Sequence, residues 1–131
     1  ANVGRVQYIG LADADTIKSL RKQSHITLMA SRSETLGYAV LESLAAAAPI
    51  VAPYVAGVCE TFEDNVSGVF FEGGNSDDMA KKILVLLSDT KKVEMLSLAA
   101  YQRCQDVFSP TRIADEAIVF YREVMRDYAK N

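Results

Sequence analysis

The sequence predicts an α/β fold: a parallel sheet flanked by helices, built as one domain. Two observations predict it. Brief apolar runs, rich in β-branched or aromatic residues, alternate with longer segments of helical periodicity, which is how strands covered on both faces read when crossover helices join them. In addition, 131 residues, 50% of them hydrophobic, suit a single core and leave little room for a second.

Each element has its own reason. Arg5–Ile9 is a short apolar run and is expected to be the first strand. Asp13 to Gln23 carries Ile17 and Leu20 among charges, and reads as a helix. Ile26–Ala30 is the next strand, followed by a helix from Thr35 to Ala47 with Leu36, Val40, Leu41 and Leu44 on its apolar side. Pro49 stops that helix, because proline lacks an amide donor and drives the residue before it out of the α region. Ala48 is therefore expected to turn the chain into a strand at Ile50–Ala52, and Val69–Phe71 is the last strand. From residue 75 the pattern is purely helical. Asn75-Ser76-Asp77-Asp78 supplies cap oxygens and first-turn acids for a helix to Ser88. Lys91 to Val107 is a further helix, and Pro110 suits the first turn of a last helix over about 110–129. Ile113, Ala117, Phe120, Tyr121, Val124, Met125 and Tyr128 recur there at three- and four-residue spacing, so that stripe is expected to pack on something.

Charge and cysteine content exclude several function classes. Lys plus Arg number 14 against 17 Asp plus Glu, a net charge of −3, which gives no basic field to recruit nucleic acid. Cys59 and Cys104 lie far apart with a single histidine in the chain, which is no metal-ligand or haem spacing. Reduced thiols packed as small hydrophobes, and a cytoplasmic location, are expected. No stretch has the roughly 20 apolar residues of a membrane-spanning helix. Ala1-Asn2-Val3-Gly4-Arg5 runs straight into strand-like sequence without the layout of a signal peptide, so the chain reads as cut out of something longer.

One local feature is hard to explain as packing. Glu34 follows the strand that ends near Ala30-Ser31, at the carboxyl edge where open α/β sheets bind ligands, and Glu42 stands eight residues on among Leu, Val and Ala. On a helix beginning near Glu34 the two carboxylates would be separated by about 12 Å of rise and roughly 80° of rotation, enough to reach two parts of one elongated ligand. Gly37, read as lying in the first turn, lets a ligand approach backbone amides that have no intrahelical partner and that favour an anion. Phosphate flanked by hydroxyl-binding carboxylates is a chemically sensible ligand. The spacing equally describes an ordinary first-turn acid at Glu34 and a solvent-facing Glu42. His25 falls at a helix–strand junction away from that edge, and Arg32 reads as a solvated loop arginine more readily than as a phosphate ligand.

The text from Ser33 through Ala52 (SETLGYAVLESLAAAAPIVA), followed by Ala56-Gly57-Val58-Cys59-Glu60 and Asp64-Asn65-Val66-Ser67-Gly68-Val69, resembles the donor-binding half of the retaining family-4 glycosyltransferases of the GT-B fold. The resemblance runs from about Val3 to Tyr128 and is strongest from Ser31 to Gly68. It implies a Rossmann-like sheet that is part of the C-terminal, donor-binding domain (residues 1–131, lacking its first strands) of a two-domain enzyme of carbohydrate or glycolipid biosynthesis. That enzyme would transfer a sugar from a nucleotide-diphosphate sugar to an acceptor with retention, and the fragment alone would be inactive. Glu42 would accept hydrogen bonds from the ribose hydroxyls. Glu34 would face the transferred sugar as the catalytic carboxylate. Amides around Leu36, Gly37 and Tyr38 would meet the sugar and diphosphate, Gly10 and Leu11 would border the base, and Glu60 matches a further acid of the family pattern. The resemblance implies no metal and no cofactor beyond the donor itself. The wording around Glu34 is similar to that of glycolipid synthases using UDP-sugars, which favours UDP over GDP or ADP.

Partners follow from the same likeness: the donor, a missing N-terminal acceptor-binding domain, and a membrane surface for the parent only, at its cytosolic face. Missing strands would leave a sheet edge open to self-association. Three departures stand out. The family places glycine where Ala48 is read to stand, Ala56-Gly57 replaces a glycine pair, and the basic pair that grips the diphosphate lies upstream of this sequence. Two other readings remain, a non-catalytic α/β interaction module and a nucleotide-sugar epimerase-like fragment.

Overall fold

The computed structural model describes residues 6–130. Their order is α1 (Ala14–Gln23), β1 (Thr27–Leu28), α2 (Tyr38–Ala45), β2 (Ile50–Pro53), β3 (Gly68–Phe71), α3 (Ser76–Leu87), α4 (Thr90–Phe108) and α5 (Pro110–Tyr128). The strands form a parallel sheet in the order β1-β2-β3, with Thr27 opposite Ile50 and Val51 opposite Val69. The α/β, parallel-sheet expectation is met.

The central strand explains the core. All four residues of β2 are buried, and because side chains alternate along a strand, it feeds two clusters. Ile50 and Ala52 pack with Met29, Val40, Leu44, Val58, Phe62 and Ala100. Val51 packs with Val69, Phe71, Leu86 and Leu96 on the other side. Helix α2 contributes Val40, Ser43 and Leu44, whose spacing puts them on one face. That geometry leaves Glu42 on the face turned away.

Several expectations are corrected. Of the run Arg5–Ile9, the described part, Val6–Ile9, does not form a strand. Arg5 lies outside the described residues, and Val6–Ile9 are irregular and exposed. A strand exists as a ladder, and β1 pairs only with β2, so among the described residues no strand stands beside that run. The strand read over Ile26–Ala30 is shorter, Thr27–Leu28, although the Met29 amide still bonds the Val51 carbonyl at 3.0 Å. Helix α2 begins at Tyr38 and not at Thr35, because Gly37 takes a left-handed φ of 72° as its N-cap. Glu34 is therefore off the helix, and the helical separation of Glu34 and Glu42 does not apply.

The left-handed residue past α2 is Ala47, at φ 55°, while Ala48 is buried in ordinary conformation. Ala47 is held by bonds on both sides. Its amide donates to the Leu44 carbonyl, its carbonyl accepts from the Ser97 hydroxyl of α4, and the Ser43 hydroxyl donates to the Ala48 carbonyl at 2.7 Å. Helix α5 starts at Pro110 as expected, yet it has no buried residue, and Ile113, Phe120, Tyr121, Val124, Met125 and Tyr128 are all exposed. The stripe is a surface and not core.

Candidate functional site

Parallel strands bring the loops after β1 and β2 to the same edge of the sheet, and that edge is where the acidic and glycine residues of interest gather. Glu34 lies half-buried in the β1–α2 loop, its Oε1 accepting from the Ser31 hydroxyl at 3.1 Å. Ser31 also lines a crevice of about 150 Å³ that opens at the carboxyl ends of the strands beside Pro53, Phe71 and Asn75. The next loop closes on the first. Gly57 stands at φ 81°, and a Cβ there would fall 2.7 Å from the Glu34 carbonyl oxygen and closer still to that of Thr35. Only glycine permits that contact, so Gly57 sets the path of the backbone that carries Glu34. Arg103 of α4 fixes the far side of the second loop. Its guanidinium donates to the Thr61 carbonyl at 2.7 Å, the Glu60 carbonyl at 3.2 Å and the Glu63 carboxylate at 2.9 Å. Glu60 thus enters the structure through its backbone, with an exposed side chain.

Gly37 begins α2 at this edge. It is buried, and a Cβ on it would sit 3.2 Å from Val40 Cγ2. The Val40 amide bonds the Gly37 carbonyl at 2.7 Å, but no side chain caps the helix. The other four described helices are capped by Asp13, Asn75, Asp89 and Ser109, each accepting from an amide three residues on. The amides of the first turn of α2 are therefore free of a side-chain partner while carrying the positive end of the helix dipole. The thoroughness of capping elsewhere is visible at Asp13, where the Thr16 amide holds the carboxyl below its usual range.

One turn further along α2, the Glu42 carboxylate is 58% exposed and pairs with Arg21, its Oε2 accepting from Arg21 Nη1 at 2.5 Å. Glu42 stands on the wall of two grooves. One, of about 410 Å³, runs between α1 and α2 and includes Ala14, Ile17, Lys18 and Arg21. The other, of about 400 Å³, runs between α2 and the α4–α5 junction and includes Tyr38, Leu41, Cys104 and Phe108. Cys104 there has its thiol pushed up by burial, which suits a packing role.

The structure thus brings Leu36, Gly37 and Tyr38 to the start of α2, with Glu34 just before them in the loop and Glu42 one turn beyond. Leu36 and Tyr38 are exposed. Gly10, at φ 65°, and the fully exposed Leu11 lie on the irregular segment before α1 and line neither groove. His25 and Arg32 are exposed and contribute nothing to either groove. The residue missed in the sequence is Arg21. It is separated from Glu42 by 21 positions, and a basic residue in a last helical turn carries no sign of a distant partner. Among the described residues there is no cluster of metal-ligating side chains and no helix long and apolar enough to cross a membrane.

The family profile described as glycosyl transferases group 1 matches residues 2–103. The chain belongs to this family. Its group 1 relatives include an uncharacterized glycosyltransferase of Methanocaldococcus jannaschii, 29% identical over 92% of this chain and 31% of the relative. A D-inositol 3-phosphate glycosyltransferase of Salinispora tropica is 27% identical over 95% of this chain and 26% of the relative. Among solved structures, Anabaena HepE in complex with UDP and glucose superposes with a TM-score of 0.84 at 22% identity, covering 92% of this chain and 33% of that one. The fold is accordingly that of the GT-B glycosyltransferases. The group 1 chain described here spans about a third or less of the length of these relatives.

Proposed function

We propose that this chain is the donor-binding region of a retaining glycosyltransferase, residues 1–131 forming a C-terminal domain without its first strands, and that the enzyme takes a sugar from a UDP-sugar and passes it to an acceptor held elsewhere in the protein. The observation that carries the reading is the start of α2: a helix without a side-chain cap at the carboxyl edge of a parallel sheet, with an open carboxylate one turn along it. Free amides at a helix N-terminus suit a diphosphate, and an exposed carboxylate suits a vicinal diol. UDP in the Anabaena HepE complex favours the same ligand class.

In this reading Glu42 accepts from the ribose hydroxyls, the amides from Leu36 to Tyr38 meet the diphosphate, Gly10 and Leu11 border the base, and Glu34 faces the transferred sugar. The diphosphate's growing charge as it leaves is then met by backbone dipoles, so neither a metal ion nor a further cofactor is required at this site. The acceptor attacks from the face the diphosphate leaves, which retains configuration. The exposed stripe of α5 is the surface on which an acceptor-binding domain would rest.

Titration with UDP tests the reading. Amide signals of Gly10–Leu11 and Leu36–Glu42 should shift, and Glu42→Ala should weaken binding roughly ten- to a hundredfold, as loss of hydrogen bonds to a charged group does. In the transferring enzyme Glu34→Ala should lower kcat with little change in donor KM. Shifts confined to other segments, or wild-type kinetics in both variants, would overturn the assignment.

A further inference from the structure

Among the described residues, Arg21 is the cation in contact with the Glu42 carboxylate, and the pair is lopsided. The arginine side chain is 15% exposed and seated against the groove wall, while Glu42 is 58% exposed. Helix α1 buries no residue, so this contact is a principal polar tie between α1 and α2. Its geometry is also incomplete. One guanidinium nitrogen meets one carboxylate oxygen, Oε2, and Oε1 takes part in no hydrogen bond among the described residues. A carboxylate offers about four lone-pair sites on two oxygens, so Arg21 occupies a minority of them on a residue that lines the groove.

We propose that Arg21 is a positioning residue for nucleotide recognition: it locks the Glu42 carboxylate in the orientation that receives the two ribose hydroxyls. The inference rests on the donor-site reading and adds a residue to it. An exposed glutamate on a helix surface otherwise samples several rotamers, and freezing it opposes ligand binding. A partner already bound to Oε2 removes that cost before the ligand arrives. Arg21 suits the task because its planar guanidinium is always charged and its place in the last turn of α1 is favoured by the helix dipole. The role concerns the hydroxyl-bearing ribose only. A nucleotide lacking those hydroxyls has nothing to offer Glu42 and should be indifferent to Arg21.

The test compares UDP with 2′,3′-dideoxyuridine 5′-diphosphate by calorimetric titration of the protein, Arg21→Met, Arg21→Lys, Glu42→Gln and the double variant. Arg21→Met should weaken UDP roughly two- to tenfold, the cost of immobilising one free side chain, and leave the dideoxy nucleotide unchanged. Arg21→Lys should recover part of the loss, and Arg21→Met should have no further effect once Glu42 is Gln. Equal weakening of both nucleotides would mean that Arg21 only holds the fold, and no weakening of either would mean that Glu42 needs no support; each overturns the proposal and leaves the donor reading standing. A wild-type protein that does not distinguish the two nucleotides overturns both.

Discussion

Helices α2 and α3 both begin at the carboxyl edge of the same sheet, one after β1 and the other after β3, and their first turns are built in opposite ways. Helix α3 is closed. Asn75 accepts from the Asp78 amide at 3.0 Å, Asp77 and Asp78 face the dipole, and the Asp78 carboxylate also accepts from the Glu72 amide at 2.8 Å. Helix α2 has glycine where a capping side chain would stand and no acid in its first turn. Given the same dipole and the same orphan amides, α3 meets them with a side-chain cap, and α2 has none among the described residues. The difference separates a helix terminus closed by its own side chains from one that, in the proposed reading, receives the diphosphate.

The largest break in this comparison should come from Gly37→Ala. A left-handed alanine costs about 1–2 kcal/mol, and its Cβ would also press on Val40 Cγ2 at 3.2 Å. Relief of that strain and contact is expected to turn the amides of Leu36–Tyr38 away from their present direction. Denaturant unfolding should show the lost stability, and UDP titration should show binding reduced by more than the unfolded fraction explains. Full-strength UDP binding would mean that the α2 terminus is not the diphosphate site.

Asn75→Ala is the matching change on α3. It removes a side-chain cap, which costs about 1 kcal/mol, and should lower the unfolding midpoint while leaving UDP affinity as it was. A loss of affinity instead would place the ligand on the α3 side of the crevice lined by Asn75 and Ser31.

The contrast between these helices also shows what could be read in advance. The cap of α3 is local chemistry, and Asn75 followed by two acids announces it in four letters. The alternation of strands and helices and the start at Pro110 are legible for the same reason, whereas α2 ends at Ala45, ahead of the stop that Pro49 predicts. The start of α2 lies later than the spacing predicts because Thr35 and Leu36 continue the helical pattern, and only the left-handed turn at Gly37 breaks it. Val6–Ile9 have strand composition, but a strand also needs a neighbour, which lies outside any local window. The Arg21–Glu42 pair and the approach of Gly57 to the Glu34 and Thr35 carbonyls depend on how distant segments meet. Glu34, Gly37 and Glu42 could be singled out from spacing and family likeness, while what holds them in place could not.

The far end of α2 sharpens the comparison with the smallest effect and the opposite sign. Both ends of this helix use a left-handed residue, glycine at 37 and alanine at 47. At Ala47 the conformation is imposed by its surroundings, since Ser97 of α4 clamps its carbonyl and Ser43 ties the next one. Glycine there would relieve about 1–2 kcal/mol of left-handed strain and add about 0.5–1 kcal/mol of lost chain entropy on folding. Ala47→Gly should therefore raise stability by up to about 1.5 kcal/mol, seen as a higher denaturant midpoint at constant slope. UDP affinity should not change, because the turn lies at the opposite end of α2 from the free amides. A destabilised variant would show that the alanine methyl contributes more by packing at the α2–α4 contact than it costs in backbone strain.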